Sequence, residues 1–419
     1  PDTLKTMANL AALYLAQGKL AEAESQFSNV VESASRALGP EHPMTLKLRV
    51  NLSIVLATEG KLAEAGSLQR EIVEVNRRVL GPEHQNTLSA MNSLAVTYHG
   101  QGRKAEAQAM IEQVLAAKQR TLGSDHPDTL KMMTNLTVML VDQAKFSGAE
   151  ELSRKVLEIQ RRILGLEHPD ALTTQHNLAT ILWYQARFAE AESLERAALE
   201  AKRRVMGPEH RETLASADTL AVALARLERL AEAEAVAAQA LAVATKALGA
   251  AHGTTRLIRR DLGRIQYRQG KLAEAERTAR ETLELADRAR DTPPDFIVNC
   301  ASDLCKALLD QGRHAEARAM LQPVLAKIAE SKNVPAWQTA YARTLLGAAL
   351  TGQQRFAEAE AALADGCREL WQNRAQVPPA DAGLLREAGE RVLRFYTERG
   401  PLEKAEEWRR IIAADEGNN

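Results

Sequence analysis

Apolar and polar positions along this chain follow a helical period, and the helical pattern itself recurs. Near the start, Leu10, Ala11 and Tyr14 share one face of a predicted helix, and Ala23, Phe27, Val30 and Val31 share one face of a second. Gly18-Lys19 breaks the pattern between them, as a glycine near a helix end does. Leu38-Gly39-Pro40-Glu41-His42-Pro43 closes the pair, and Pro43 suits the first turn of the next helix. The pair then repeats. Alanine stands at Ala23, Ala65, Ala107, Ala149, Ala191, Ala233, Ala275, Ala317 and Ala359, each 42 residues after the last. Leucine keeps the same step from Leu10 through Leu52, Leu94, Leu136, Leu178, Leu220, Leu262 and Leu304 to Leu346. The slot after each leucine holds only small residues: Ala11, Ser53, Ala95, Thr137, Ala179, Ala221, Gly263, Cys305 and Gly347. Small side chains there let helices approach to the short end of the roughly 8–10 Å interaxial range.

Turns at 18, 60, 102, 144, 186, 228, 270, 312, 354 and 400 predict ten helical pairs. Residues 1–289 keep the regular 42-residue register, and residues 290–419 read as divergent repeats with a C-terminal cap. There the joint changes to Arg290-Asp291-Thr292-Pro293-Pro294, then Asn333-Val334-Pro335, then Val377-Pro378-Pro379. Atypical terminal repeats are what an array needs to cover its exposed core face. Pro1-Asp2-Thr3-Leu4 matches Pro127-Asp128-Thr129-Leu130 in register, so the chain reads as cut from a longer protein at a repeat joint.

The Leu-small-x-x-Tyr/Leu, Gly-Lys-x-x-Glu-Ala and apolar second-helix pattern resembles a tetratricopeptide repeat. The 42-residue period and the Leu-Gly-Pro-Glu-His-Pro-x-Thr-Leu joint resemble the repeats of kinesin light chains and their bacterial relatives. The resemblance implies an all-α, right-handed superhelical solenoid of antiparallel helix pairs. The ending Leu393-Arg394-Phe395-Tyr396, with Gly400-Pro401-Leu402-Glu403-Lys404-Ala405-Glu406-Glu407-Trp408-Arg409, resembles the tail of repeat regions that follow bacterial serine/threonine kinase domains. The chain itself carries no Gly-rich phosphate loop, no His-Arg-Asp loop and no Asp-Phe-Gly.

Composition narrows the function classes. A formal net charge of -1 gives the whole chain no electrostatic footprint for nucleic acid. No apolar run is long enough to cross a bilayer, and no signal-peptide pattern opens the chain. Three cysteines, Cys300, Cys305 and Cys367, at no metal-ligand spacing suit buried thiols in a reducing, cytoplasmic setting. Histidine recurs in one joint slot, at His42, His84, His126, His168, His210 and His252. A metal ladder fails on distance: neighbouring slots lie a helix pair apart, roughly 10 Å, against zinc–nitrogen bonds of about 2 Å. A joint residue capping the next helix is the expected role. No Ser/His/Asp or Cys/His grouping stands out, so neither catalysis nor a cofactor is expected.

Two features invite a ligand. Asn9, Asn51, Asn135 and Asn177 share a first-helix slot. Asparagine is a mediocre helix former, so either a ladder between repeats or contact with a ligand backbone explains it. The slots of Lys5, Ala8, Ala12 and Ala16 point away from the core face and vary freely down the repeats. In a tetratricopeptide array that face lines the concave groove. On it, Arg260, Arg264 and Arg268 stand at i, i+4 and i+8, with Arg226 one repeat before, Lys306 one repeat after, and Tyr267 beside them. Asp218, Asp261 and Asp310 would neutralise them as a solvated ion network; an acidic or phosphorylated peptide would use them as forks. The expected function is a protein–protein interaction scaffold. The alternatives are a regulatory or sensor region of a larger signalling enzyme, or an architectural spacer.

Overall fold

The computed structural model describes residues 2–17, 19–289, 292–329 and 334–416. Of the residues named above, Pro1, Gly18, Arg290, Asp291 and Asn333 lie outside them. The described residues form helices and connecting turns, with no strand. They fall into two compact units, Pro1–Ile159 and Gln160–Asn419. The first carries the pairs α1 (Asp2–Ala16) with α2 (Leu20–Leu38), α3 (Pro43–Thr58) with α4 (Leu62–Leu80), and α5 (Gln85–Gly100) with α6 (Lys104–Leu122). It continues with α7 (Pro127–Val141) and the start of α8 (Phe146–Leu164). The second carries α9 (Pro169–Tyr184) with α10 (Phe188–Val205), α11 (Arg211–Arg226) with α12 (Leu230–Leu248), and α13 (Gly253–Arg268) with α14 (Leu272–Arg288). It then carries α15 (Pro294–Asp310) with α16 (His314–Ile328), α17 (Ala336–Gly352) with α18 (Phe356–Gln372), and α19 (Gly383–Arg399) with α20 (Leu402–Glu416).

The repeated residues have repeated physical jobs. Every alanine of the 42-residue series is at most 2% exposed. The leucine series is buried from Leu94 to Leu304, whereas Leu10 on α1 is 41% exposed. Each of the six joint histidines is an N-cap: its Nδ1 accepts from the backbone N–H two residues on, at 3.2 Å in every repeat. That satisfies one of the orphan donors of the helix start. Cys300, Cys305 and Cys367 are buried free thiols. The second helices open with an arginine clip in several repeats. Arg187 grips Glu190 through Nε and Nη2, both at 2.6 Å, and Arg313 grips Glu316 likewise. The clip fixes the first turn, where a carboxylate also faces the positive end of the helix dipole.

Successive repeats are joined at constant offsets. Second helices link at 37 residues, as in Lys61–Glu24 at 2.6 Å, Lys271–Glu234 at 2.7 Å and Arg313–Glu276 at 2.6 Å. First helices link at 43 residues, as in Asn135 Nδ2 donating to Asn92 Oδ1 at 3.0 Å and Arg260 Nε donating to Asp303 Oδ2 at 2.8 Å. Consecutive first helices therefore run parallel, offset by one residue from the sequence repeat. The last pairs are built differently. Trp337, Tyr341, Trp371, Phe395, Tyr396 and Trp408 form an aromatic core, with Trp371 and Trp408 edge-to-face at 6.0 Å. The alanine–leucine core of α11 to α13 contains no aromatic side chain among its buried members.

Candidate functional site

The first helices of the second unit place the predicted cations together. Helices α9, α11, α13, α15 and α17, with the stretch 378–387 from the C-terminal pairs, line a cleft of about 650 Å³. Arg226, Arg260, Arg264, Tyr267, Arg268 and Lys306 are all in its wall. Asn177 is not, and Asn135 belongs to the first unit, where its amide goes to Asn92. That bond is the inter-repeat ladder of the two roles open to Asn135.

The cations differ in how they are held. Arg260 is part-buried against Asp303. Burial works against its charge, but the carboxylates of Asp303 and Asp261 outweigh it and keep the guanidinium firmly protonated. Arg268 caps α11: its Nη1 donates to the Ala225 carbonyl at 2.5 Å and its Nη2 to Glu228 at 2.7 Å. Arg226, in the last turn of α11, donates to Asp381 at 3.2 Å and lies 5.8 Å from the Trp183 ring. Lys306 donates to Glu387 at 3.0 Å and lies 5.0 Å from the Tyr267 ring. Tyr267 donates to Asp310, and burial with that bond raises its phenol above the usual range. Arg264 is held by ion pairs longer than those of its neighbours. Its nearest carboxylates are Asp261 at 3.5 Å, Asp381 at 3.9 Å and Asp303 at 4.0 Å. With one-third of its side chain exposed and its ion pairs at 3.5 to 4.0 Å, this guanidinium is the most loosely held of these four arginines.

Of the three acids expected to form a solvated network, Asp310 is exposed and accepts from Tyr267, but the other two are not solvated. Asp218 and Asp261 are buried, 43 residues apart and so face to face across α11 and α13. Burial first, and then each other's charge, lifts Asp218 well above the usual carboxylate range, and burial raises Asp261. Glu387 is pulled the other way. Burial would raise it, but Lys306, the Tyr341 hydroxyl at 2.6 Å and Arg391 at 3.1 Å hold it below its ordinary value. Asp303, Asp381, Glu387 and Trp183 were not singled out from the sequence. Asp303 had a findable signal, since it stands 43 residues after Arg260. Asp381 and Glu387 had none, lying 155 residues from Arg226 and 81 from Lys306.

Models of the tetratricopeptide repeat match residues 2–65, 47–120, 139–204, 170–246 and 212–288, and a further one matches 298–323. The chain belongs to the tetratricopeptide repeat family. Among solved structures, this repeat protein is similar to a putative kinesin light chain of Podosopora anserina with nearly identical TPR-like repeats. The identity is 30%, over 49% of this chain and 97% of that one, at a TM-score of 0.45. It is similar in fold to the apo form of the quorum sensor NprR from B. thuringiensis, at 13% identity, 88% and 98% coverage, and a TM-score of 0.56. It is likewise similar to a Rap protein complexed with Competence and Sporulation Factor, at 13% identity, 84% and 98% coverage, and a TM-score of 0.53. No curated protein matches the chain. No described helix is long and apolar enough to cross a membrane, and no described group of His, Cys, Asp and Glu is placed to hold a metal ion.

Proposed function

We propose that this repeat protein is an interaction scaffold whose second unit takes an acidic segment of a protein partner into the cleft floored by α13. One observation carries the reading: Arg264 stands in the cleft wall with one-third of its side chain exposed and its ion pairs at 3.5 to 4.0 Å, flanked by Arg226 paired with Asp381 and by Lys306 paired with Glu387. An incoming carboxylate or phosphate would find a planar fork and two further cations in one wall. The aromatic rings of Trp183, Tyr184 and Tyr341 in the same wall offer apolar contact beside the charges. A fold shared with a Rap protein seen in complex with Competence and Sporulation Factor is consistent with a ligand-taking array. The reading assigns no catalytic step.

The test spares Arg260, whose removal would leave the part-buried Asp303 without its 2.8 Å partner. A library of acidic peptides is titrated against the wild type and against an Arg264→Gln/Arg268→Gln variant, at low and at moderate salt. Loss of a charge-assisted fork should weaken binding roughly tenfold or more, and added salt should weaken the wild type further. If the wild type enriches no acidic sequence, or the variant keeps all its affinity, the cleft is not an acid-binding site.

A further inference from the structure

The cleft already contains two acidic side chains from the C-terminal pairs, Asp381 in the link between α18 and α19 and Glu387 in the first turns of α19. After α18 the chain makes a short 3₁₀ turn at Arg374–Gln376, passes Val377 and Pro378, makes a second at Pro379–Asp381, and enters α19 at Gly383. This strap is seated, since Val377 and Ala380 are both buried. Asp381 reaches Arg226 at 3.2 Å and stands 3.9 Å from Arg264. Six residues on, Glu387 takes Lys306 at 3.0 Å. Three of the five cations presented by the repeats thus face one short stretch of chain. Neighbouring repeats pair at offsets near one repeat length, such as 37, 39, 40 and 43 residues; the contacts to Asp381 and Glu387 span 155 and 81.

Capping alone does not call for this arrangement. The core face of the last repeats is covered by apolar groups, with Leu384, Leu385, Val392 and Phe395 packed into the aromatic core. None of that requires a carboxylate to reach back to α11. The Asp381–Arg226 pair is also partly exposed, with 17% and 27% of the two side chains accessible. A pair that is partly open to solvent can exchange one carboxylate for another. Two prolines restrict the strap's backbone, so little conformational entropy is lost in seating it. A tethered group competes at an effective concentration on the order of millimolar.

We infer that the strap of residues 374–387 is a built-in acidic occupant of the cleft, with Asp381 and Glu387 holding the carboxylate positions that an acidic partner segment takes. This rests on the acid-binding reading of the cleft. Partner and strap exclude one another, and the apparent affinity for a partner is reduced by the fraction of molecules in which the strap is seated. The strap also describes its competitor: a segment with two carboxylates about two helical turns apart, led in by an extended, proline-compatible stretch.

The probe is hexaglutamate, titrated against the whole chain as wild type and as Asp381→Asn, with Arg264→Gln as the control in each background. Hydrogen exchange of residues 377–387 is followed with and without the probe. The expected result is binding roughly fivefold tighter to Asp381→Asn than to wild type, the size expected for removing one partly exposed competing ion pair. Saturating hexaglutamate should also speed exchange in the wild-type strap, and Arg264→Gln should abolish both effects. If Asp381→Asn does not fold, the wild-type exchange measurement decides alone. Equal or weaker binding by the variant, or a strap whose protection does not change when the probe binds, overturns the inference while leaving the cleft an acid-binding site. Absence of binding to both proteins overturns the inference and the acid-binding reading together.

Discussion

Gly347→Ala should destabilise the α17–α18 pair, although alanine is the better helix former. Gly347 occupies the small-residue slot after Leu346, in the middle of α17. A Cβ built there would lie 2.6 Å from Leu363 Cγ, 2.9 Å from its Cδ2 and 3.0 Å from its backbone nitrogen. Carbon atoms in contact prefer about 3.5–4.0 Å. The leucine side chain can rotate, but its backbone nitrogen retreats only if α18 moves. Gly366 marks the same close approach from the other side, with its missing Cβ 3.0 Å from the Ala340 carbonyl. Alanine gains about 1 kcal/mol of helix propensity over glycine, and overpacking costs about 1–3 kcal/mol. With the contact to the Leu363 backbone placing the cost in the upper part of that range, the net expectation is a loss of up to about 2 kcal/mol. Gly263→Ala is the matched control, two repeats earlier in the same slot. Its Cβ would meet the Thr278 methyl at 3.3 Å and no backbone atom nearer than 3.8 Å, a milder contact than at Gly347, so propensity should leave it near neutral. Urea unfolding gives the global shift, and hydrogen exchange of residues 336–372 against 169–205 localises it, because each repeat is held mainly by its neighbours. Protection of 336–372 equal to or above wild type in Gly347→Ala would refute the close-approach argument.

Two further substitutions test the backbone and the buried acids. Ala186 sits in a turn at φ 60°, where the equivalent positions hold Gly60, Gly102, Gly270 and Gly312 at φ 74° to 84°; Ala186→Gly should raise stability by up to about 1 kcal/mol, and thermal melts that show a decrease would contradict it. Asp218 is buried, its Oδ1 has no hydrogen-bond partner among the described residues, and its folded-state pKa is raised. The folded protein therefore binds more protons than the unfolded chain, and this residue's contribution falls as pH rises from the unfolded value of about 4. Asp218→Asn should stabilise at pH 7 and lose that gain towards pH 4; a gain that is constant or grows on acidification in urea titrations would reverse the sign.

The chain's own pattern determined the elements and their repetition. Periodicity assigned the core faces, the alanine slot identified the tightest contacts, the joint histidines could be read as caps, and the glycines marked the turns. These depend on residues within one or two helical turns of each other, so local spacing carries them. Which side chains meet between repeats depended on tertiary packing. First helices pack one residue out of step with the 42-residue period, so Arg260 meets Asp303, and Asp218 faces Asp261 instead of water. The five cations were legible because they share a helix face. Their partners Asp381 and Glu387 were not, because the stretch that carries them leaves the repeat register. Its position follows from how the last helices close over the aromatic core, and no spacing along the chain encodes a contact made only when that core assembles.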